Sequence, residues 1–156
     1  MTDTPAHAHT EELPAHECWD LLRGVSVGRL GLWVEDHPDI FPINFAVDHG
    51  TLVFRTAPGT KLSAALGDTA VALEADGVDA ISGVAWSVVI KGMCTLISST
   101  EEVLDSFSIM LFPWHSGSKN AFLRITPSSI TGRRFTVAAP GEWWTTQAKD
   151  PHTSAE

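Results

Sequence analysis

The stretch Phe54-Arg55-Thr56-Ala57-Pro58-Gly59-Thr60-Lys61-Leu62 decides how the rest of the chain is read. Its first residues end a strand. Pro58-Gly59 is a turn signal. Thr60 can then cap a short helix through Lys61, Leu62, Ala64, Ala65 and Leu66. A helix start offers unpaired backbone N–H groups and the positive end of a dipole, which suits an anion. Arg55 brings a planar fork and Lys61 a point charge, a combination that suits a phosphate. The two stand out because the chain carries only 10 Lys plus Arg against 19 Asp plus Glu. An ordinary strand–turn–helix with two solvated cations fits the same spacing equally well.

Working outward, a length of 156 residues suits one domain. A domain of this size buries about 68–70% of its unfolded surface and needs no staples. A hydrophobic content of 44% with 19% charged residues describes a folded, soluble chain. The net charge of −9 argues against general nucleic-acid binding and against docking on anionic membranes. Cys18 and Cys94 lie far apart and form no CxxC pair. With no secretory leader and no apolar run of bilayer length, a reducing cytoplasm is the expectation. No metal site is expected, since His7 and His9 have no nearby Cys or further His to close a tetrahedral set.

Three segments follow from the pattern. Residues 1–13 are polar and aperiodic, and read as a tail. Residues 14–137 read as the folded domain. Residues 138–156 read as a mostly flexible end, in which Trp143-Trp144 could dock on the body or on a partner. The domain opens with a helix over 14–23, with Cys18, Leu21, Leu22 and Val25 on one stripe and Gly24 as its stop. Strands are expected at 28–34, 41–47, 51–56, 69–75, 86–97, 121–126 and 129–135. Asp48-His49-Gly50 is a tight hairpin turn, Pro42 implies an edge or a bulge, and Gly92 a bulge. Lys91 reads as a rim charge rather than a third cation for the anion site. Ser99-Thr100-Glu101-Glu102 is a capping box. It starts a helix with Val103, Leu104, Phe107 and Leu111 inward. Pro113 ends that helix before a loop with Trp114 and His115.

The chain carries no GxSxG, no HExxH and no GxGxxG. Cys94 and His115 could form a thiol–imidazole pair, but a packed strand cysteine is the simpler reading. What remains is an anion site beside strands rich in aromatic and β-branched residues. An apolar slot with a phosphate clamp at one end is what a phosphorylated planar cofactor needs.

Gly28-Arg29-Leu30, Pro42-Ile43-Asn44-Phe45, Phe54-Arg55-Thr56 with Gly59-Thr60-Lys61-Leu62, and Trp86-Ser87-Val88 before Gly92 follow one another in order. This order resembles the pyridoxamine 5′-phosphate oxidase-like superfamily of flavin-binding split barrels. Glu17-Cys18-Trp19 ahead of Gly28-Arg29-Leu30 resembles its smaller actinobacterial members, near the nitroimidazole-resistance type. The resemblance implies a mainly β fold: an antiparallel split barrel of six to seven strands with two or three peripheral helices. It implies a homodimer holding flavin mononucleotide (FMN) at its interface. By position, Arg55 and Lys61 would hold the phosphate, with Thr56 and Thr60 adding hydrogen bonds. Pro42, Ile43 and Asn44 would run beside the ring or the ribityl chain. Trp86, Ser87 and Val88 would contribute from the long strand. Trp114 and His115 are not fixed by motif, and their loop is expected to approach the flavin of the other subunit.

The implied activity is an FMN-dependent oxidoreductase acting on a small organic acceptor. The Arg/His pattern with which true pyridoxamine phosphate oxidases grip substrate is missing, so the implication does not extend to vitamin B6 oxidation. The alternative is a non-catalytic barrel that stores or senses flavin, deazaflavin or haem.

Overall fold

Alternating apolar segments joined by short polar turns favour antiparallel pairing of sequence neighbours. The structure, a computed structural model that describes residues 9–97 and 121–137, is built that way. Its elements are β1 (Thr10–Leu13), α1 (Ala15–Arg23), β2 (Val27–Val34), β3 (His37–Asp48), β4 (Thr51–Thr56), α2 (Thr60–Ala65), β5 (Val71–Val78), β6 (Val84–Leu96) and β7 (Ala121–Thr136). The expected helix after Ser99, the Trp114-His115 loop and Trp143-Trp144 lie outside the described residues.

The strands form one antiparallel sheet in the order β1-β7-β4-β3-β2-β5-β6, and a further β6–β7 pairing closes it into a ring. This corrects the expected split barrel: seven strands and two helices are described, and the sheet is ring-shaped. The reason is the length of β7. One edge of it takes β4 at Ala121–Ile125 and β1 at Gly132–Phe135, while the other edge takes β6 from Leu123 to Thr136.

Several elements differ from the sequence pattern in instructive ways. Thr10–Leu13, expected in the tail, is a strand because the open edge of β7 offers backbone partners whatever the side chains are. Residues 37–39, expected in a connection, extend β3, and the turn shrinks to Glu35-Asp36. The two last strands merge into β7. Pro127 lies beyond the β4 pairing and before the β1 pairing, so its missing N–H goes unneeded on that edge. The expected bulge at Gly92 is present as a register shift between Lys91 and Gly92. A Cβ on Gly92 would run into the Thr126 carbonyl oxygen. The turn between β3 and β4 has positive φ at both His49 and Gly50, the geometry that suits a two-residue hairpin.

Inward residues of all six ring strands meet in one core. Leu30, Phe45, Phe54, Leu73, Ile90 and Leu123 each come from a different strand. Burial of such a side chain contributes about 1.5–3 kcal/mol. Cys18 and Leu22 of α1 lie on this core. A smaller buried cluster, Val53, Ile97 and Phe122, lies on the opposite, outer face of β4 and β7.

Candidate functional site

The β3–β4 ladder runs from Asp48↔Thr51 to Phe45↔Phe54 and stops there. One step further, Asn44 and Arg55 face one another by register, but each pairs elsewhere. Asn44 pairs with Val27 on β2, and Arg55 with Phe122 on β7. The two strands part at this point, and alternation places both side chains on the outer face. Pro42 stands in the same unladdered part of β3, opposite Arg29. It therefore costs no hydrogen bond towards β4.

This parting leaves a polar mark. Among the described residues, Asn44 Oδ1 and Arg55 Nε are the buried side-chain polar atoms with no hydrogen-bond partner. An orphaned buried group costs about 1–3 kcal/mol. Here an acceptor and a donor are left open on facing register positions, and a ligand carrying both hydroxyl and phosphate groups would satisfy the two together.

Beyond Arg55, Ala57-Pro58-Gly59 leads into α2. Gly59 occupies the cap position with φ 150°, and the helix start has no side-chain cap. Thr60 is the first helical residue and is exposed, which corrects the expected Thr60 cap. The glycine conformation at the cap, closed to a residue with a Cβ, moves the helix start back by one residue. Lys61 places its ammonium 5.1 Å from the centre of the Phe41 ring, a cation–π contact. Thr56 is buried and its Oγ1 donates to the Ala57 carbonyl at 3.3 Å. Ile43 is buried within the core.

The other expected residues lie round the ring on β6. Val88 is fully buried in the core. Trp86 packs at the core margin over Gly77, where any Cβ would collide with the indole. Trp86 and Ser87 border a groove of about 510 Å³ with Asp76, Val78, Ala85, Phe135 and Val137. Between this groove and Pro42 lies Arg29. Its Nε donates to Glu74 at 2.7 Å and its Nη2 reaches Asp76 at 2.8 Å. From β3 to β6 by way of β2 and β5 is three sheet spacings, roughly 14 Å of curved surface. The residues expected around one cofactor therefore fall into two groups on one chain: Pro42, Asn44, Arg55 and Lys61, then Trp86 and Ser87.

Lys91 is exposed and borders a second groove of about 420 Å³ with Gly31, Trp33 and Ile40. The thiols are poor nucleophiles. Burial pushes Cys94 up to about 12, and burial also raises Cys18. Arg29 stands in the Gly28-Arg29-Leu30 motif with no expected site role, and Arg124 stands in no motif. Arg124 Nη1 donates to Asp48 Oδ2 at 2.8 Å and to Thr51 Oγ1 at 2.6 Å. That contact pulls Asp48 below its ordinary range, with His49 adding to the effect. The pairing of Arg124 beside Val53 depends on the β4–β7 register, which sequence periodicity does not carry.

Comparison with known proteins identifies the family. A family model described as pyridoxamine 5′-phosphate oxidase matches residues 14–134. An uncharacterised Mycobacterium tuberculosis protein, Rv0080, is 34% identical over 128 residues, 79% of this chain and 84% of that protein. The solved structure of an FAD-binding protein from Mycobacterium smegmatis is 38% identical, with TM-score 0.69, 81% of this chain and 98% of that one being covered. A conserved Corynebacterium diphtheriae protein of unknown function, DIP1874, is 34% identical, with TM-score 0.68 and coverage of 81% and 98%. With its sequence matched from α1 into the last turn of the ring, the chain belongs to the pyridoxamine 5′-phosphate oxidase-like superfamily.

Proposed function

We propose that this protein is a flavin-dependent oxidoreductase that holds flavin mononucleotide and acts on a small organic acceptor. The observation that carries the reading is the open acceptor–donor pair of Asn44 Oδ1 and Arg55 Nε where β3 and β4 part. Arg55 gives the phosphate a planar fork, Lys61 adds a second positive charge from α2, and Asn44 accepts from a ribityl hydroxyl. Pro42 leaves its edge of β3 free of a ladder bond, so a flat ring can lie against the backbone there. When bound, the flavin supplies the hydride and electron chemistry. The chain binds the phosphate, orients the ring and restricts water.

A second copy completes the site in this reading. Trp86 and Ser87 lie on a different stretch of a convex surface, so they meet Asn44 and Arg55 across two chains more readily than within one. The protein is therefore proposed to act as a homodimer. Vitamin B6 oxidation is not part of the proposal.

The M. smegmatis relative is described as binding FAD. This supports flavin over haem or deazaflavin and makes the dinucleotide the first competitor to test. It also favours a second reading, a module that holds a flavin without turning it over. Titration with FMN, FAD and a deazaflavin phosphate, followed by anaerobic mixing with reduced nicotinamides and reoxidation by quinones or nitro compounds, separates them. The proposal expects tight FMN binding, bleaching of the flavin band and its return on adding acceptor. Binding without reduction by any donor supports the storage module. No binding of any flavin removes both.

A further inference from the structure

Leu30, Leu32 and Val34 of β2 point into the core, so alternation turns Arg29, Gly31 and Trp33 outwards. Register carries this outer face across four strands. One row runs Ile40, Gly31, Ala72, Lys91 from β3 to β6. Gly31 and Ala72 keep its middle low, and it forms the floor of the groove of about 420 Å³. Trp33 and Ile40 stand at the border of that groove, 53% and 68% exposed. Large apolar side chains this open on one contiguous patch mark an interaction surface.

The patch carries opposite charges at its two ends. Lys91 of β6 closes one end, and Asp39 of β3 stands at the other. Asp39 Oδ1 accepts the Ile40 N–H at 2.8 Å, which fixes the carboxylate there. An apolar middle between a positive and a negative end is complementary to a second copy of itself turned through half a revolution. That is the property a two-fold interface requires.

We propose that two copies of the chain meet on this face, about a two-fold axis that runs along the strands between β2 and β5. The inference rests on the homodimer reading above and adds its face and its register. Rotation about that axis exchanges β3 with β6 and β2 with β5 at the same height. Lys91 of each copy then lies over Ile40 and Asp39 of the other, and Gly31 lies over Ala72. Arg29 meets Glu74 one row along. Asn44 meets Ser87 in the row after that, which is the approach of β3 to β6 that the flavin site needs. Four strands about 4.8 Å apart and four outward rows about 6.8 Å apart cover up to roughly 500 Å² per copy. The two copies together reach about 1,000 Å², the low end for a specific interface, so the dimer is expected to depend on concentration.

Sedimentation equilibrium of the full chain, with and without FMN, tests it. The expected result is a dimer at high micromolar concentration that dissociates on dilution. Gly31→Arg sets a charged arm beside the axis. A Cβ at Gly31 is 3.7 Å from the Ala72 carbonyl oxygen, an ordinary contact, so the fold accepts the change. Its dimer Kd should rise at least about tenfold, one decade being 1.4 kcal/mol. Lys91→Asp should raise Kd several-fold, and adding Asp39→Lys to that variant should restore most of the loss. This charge exchange supplies the test should Gly31→Arg fail to fold. A dimer that both Gly31→Arg and Lys91→Asp leave intact overturns the proposed face while the homodimer reading stands. A chain that stays monomeric at every concentration, with FMN and without it, overturns both. A double variant that associates no more tightly than Lys91→Asp alone overturns the proposed axis.

Discussion

Two arginines share the outer face of the β4–β7 pair and have opposite fates. Arg124 is saturated: it holds Asp48 and Thr51 across the turn end of the hairpin, and its side chain is 22% exposed. Arg55, opposite Phe122 on the same strand pair, keeps a buried Nε with no partner. The same residue type thus serves two ends. Where β3 and β4 are still laddered, the turn end fixes a carboxylate beside Arg124. Where the ladder stops, the opposing residue is Asn44, and among the described residues no carboxylate pairs with Arg55. A satisfied arginine stabilises a fold, whereas an orphaned one costs stability until a ligand arrives.

The largest expected effect falls on ligand binding. Changing Arg55→Ala together with Lys61→Ala removes charge-assisted bonds of about 1.5–3 kcal/mol each. Flavin affinity should drop at least about a hundredfold, by the rule of 1.4 kcal/mol per decade, when followed by fluorescence titration. Unfolding in urea should move little or towards greater stability. Next comes the saturated partner. Arg124→Ala should cost roughly 1–3 kcal/mol of stability, because it strands a half-buried carboxylate. Its flavin affinity should match the unaltered chain. A loss of affinity in Arg124→Ala equal to that in the double variant would erase the contrast.

Two smaller effects sharpen it. Asn44→Ala deletes an unsatisfied acceptor, so unliganded stability should hold or rise, while flavin affinity falls by about 0.5–1.5 kcal/mol. Asp48 carries a pH signature. Its carboxyl is depressed, through the Arg124 hydrogen bond first and that of His49 after it. A depressed carboxylate adds stability above its unfolded pKa of about 3.9, and that share is lost as pH falls through the folded value. Denaturant midpoints measured from pH 6 down to acid should therefore converge for the unaltered chain and Asp48→Asn. A constant gap between them would mean that Asp48 does not titrate with the fold.

One side of this contrast is legible in the sequence, and the other is not. Alternation located β4 and its turn, and acid–base scarcity drew attention to Arg55 and Lys61. The residues Pro42 and Asn44 came from the family resemblance. What alternation could not carry was pairing. Nothing local shows that the polar run His37 to Asp39 continues a strand, because its partners are backbone groups of β2. Nor does Thr10–Leu13 reveal itself, since its strand character is lent by the far end of β7. The closed ring was missed for the same reason: a strand that pairs along both edges looks, in sequence, like two strands with a proline between them. Val88 shows the cost of carrying a motif over whole, since alternation on β6 turns it into the core while Ser87 faces out.

The measurement that tests the central claim most directly is a paired FMN titration of Arg55→Ala and Arg124→Ala beside the unaltered full chain, with the thermal midpoint recorded on the same samples. The account predicts that Arg55→Ala loses FMN affinity while keeping its midpoint, and that Arg124→Ala loses midpoint while keeping its affinity. Arg55→Ala binding FMN as tightly as the unaltered chain would contradict it and would remove the phosphate site from β4.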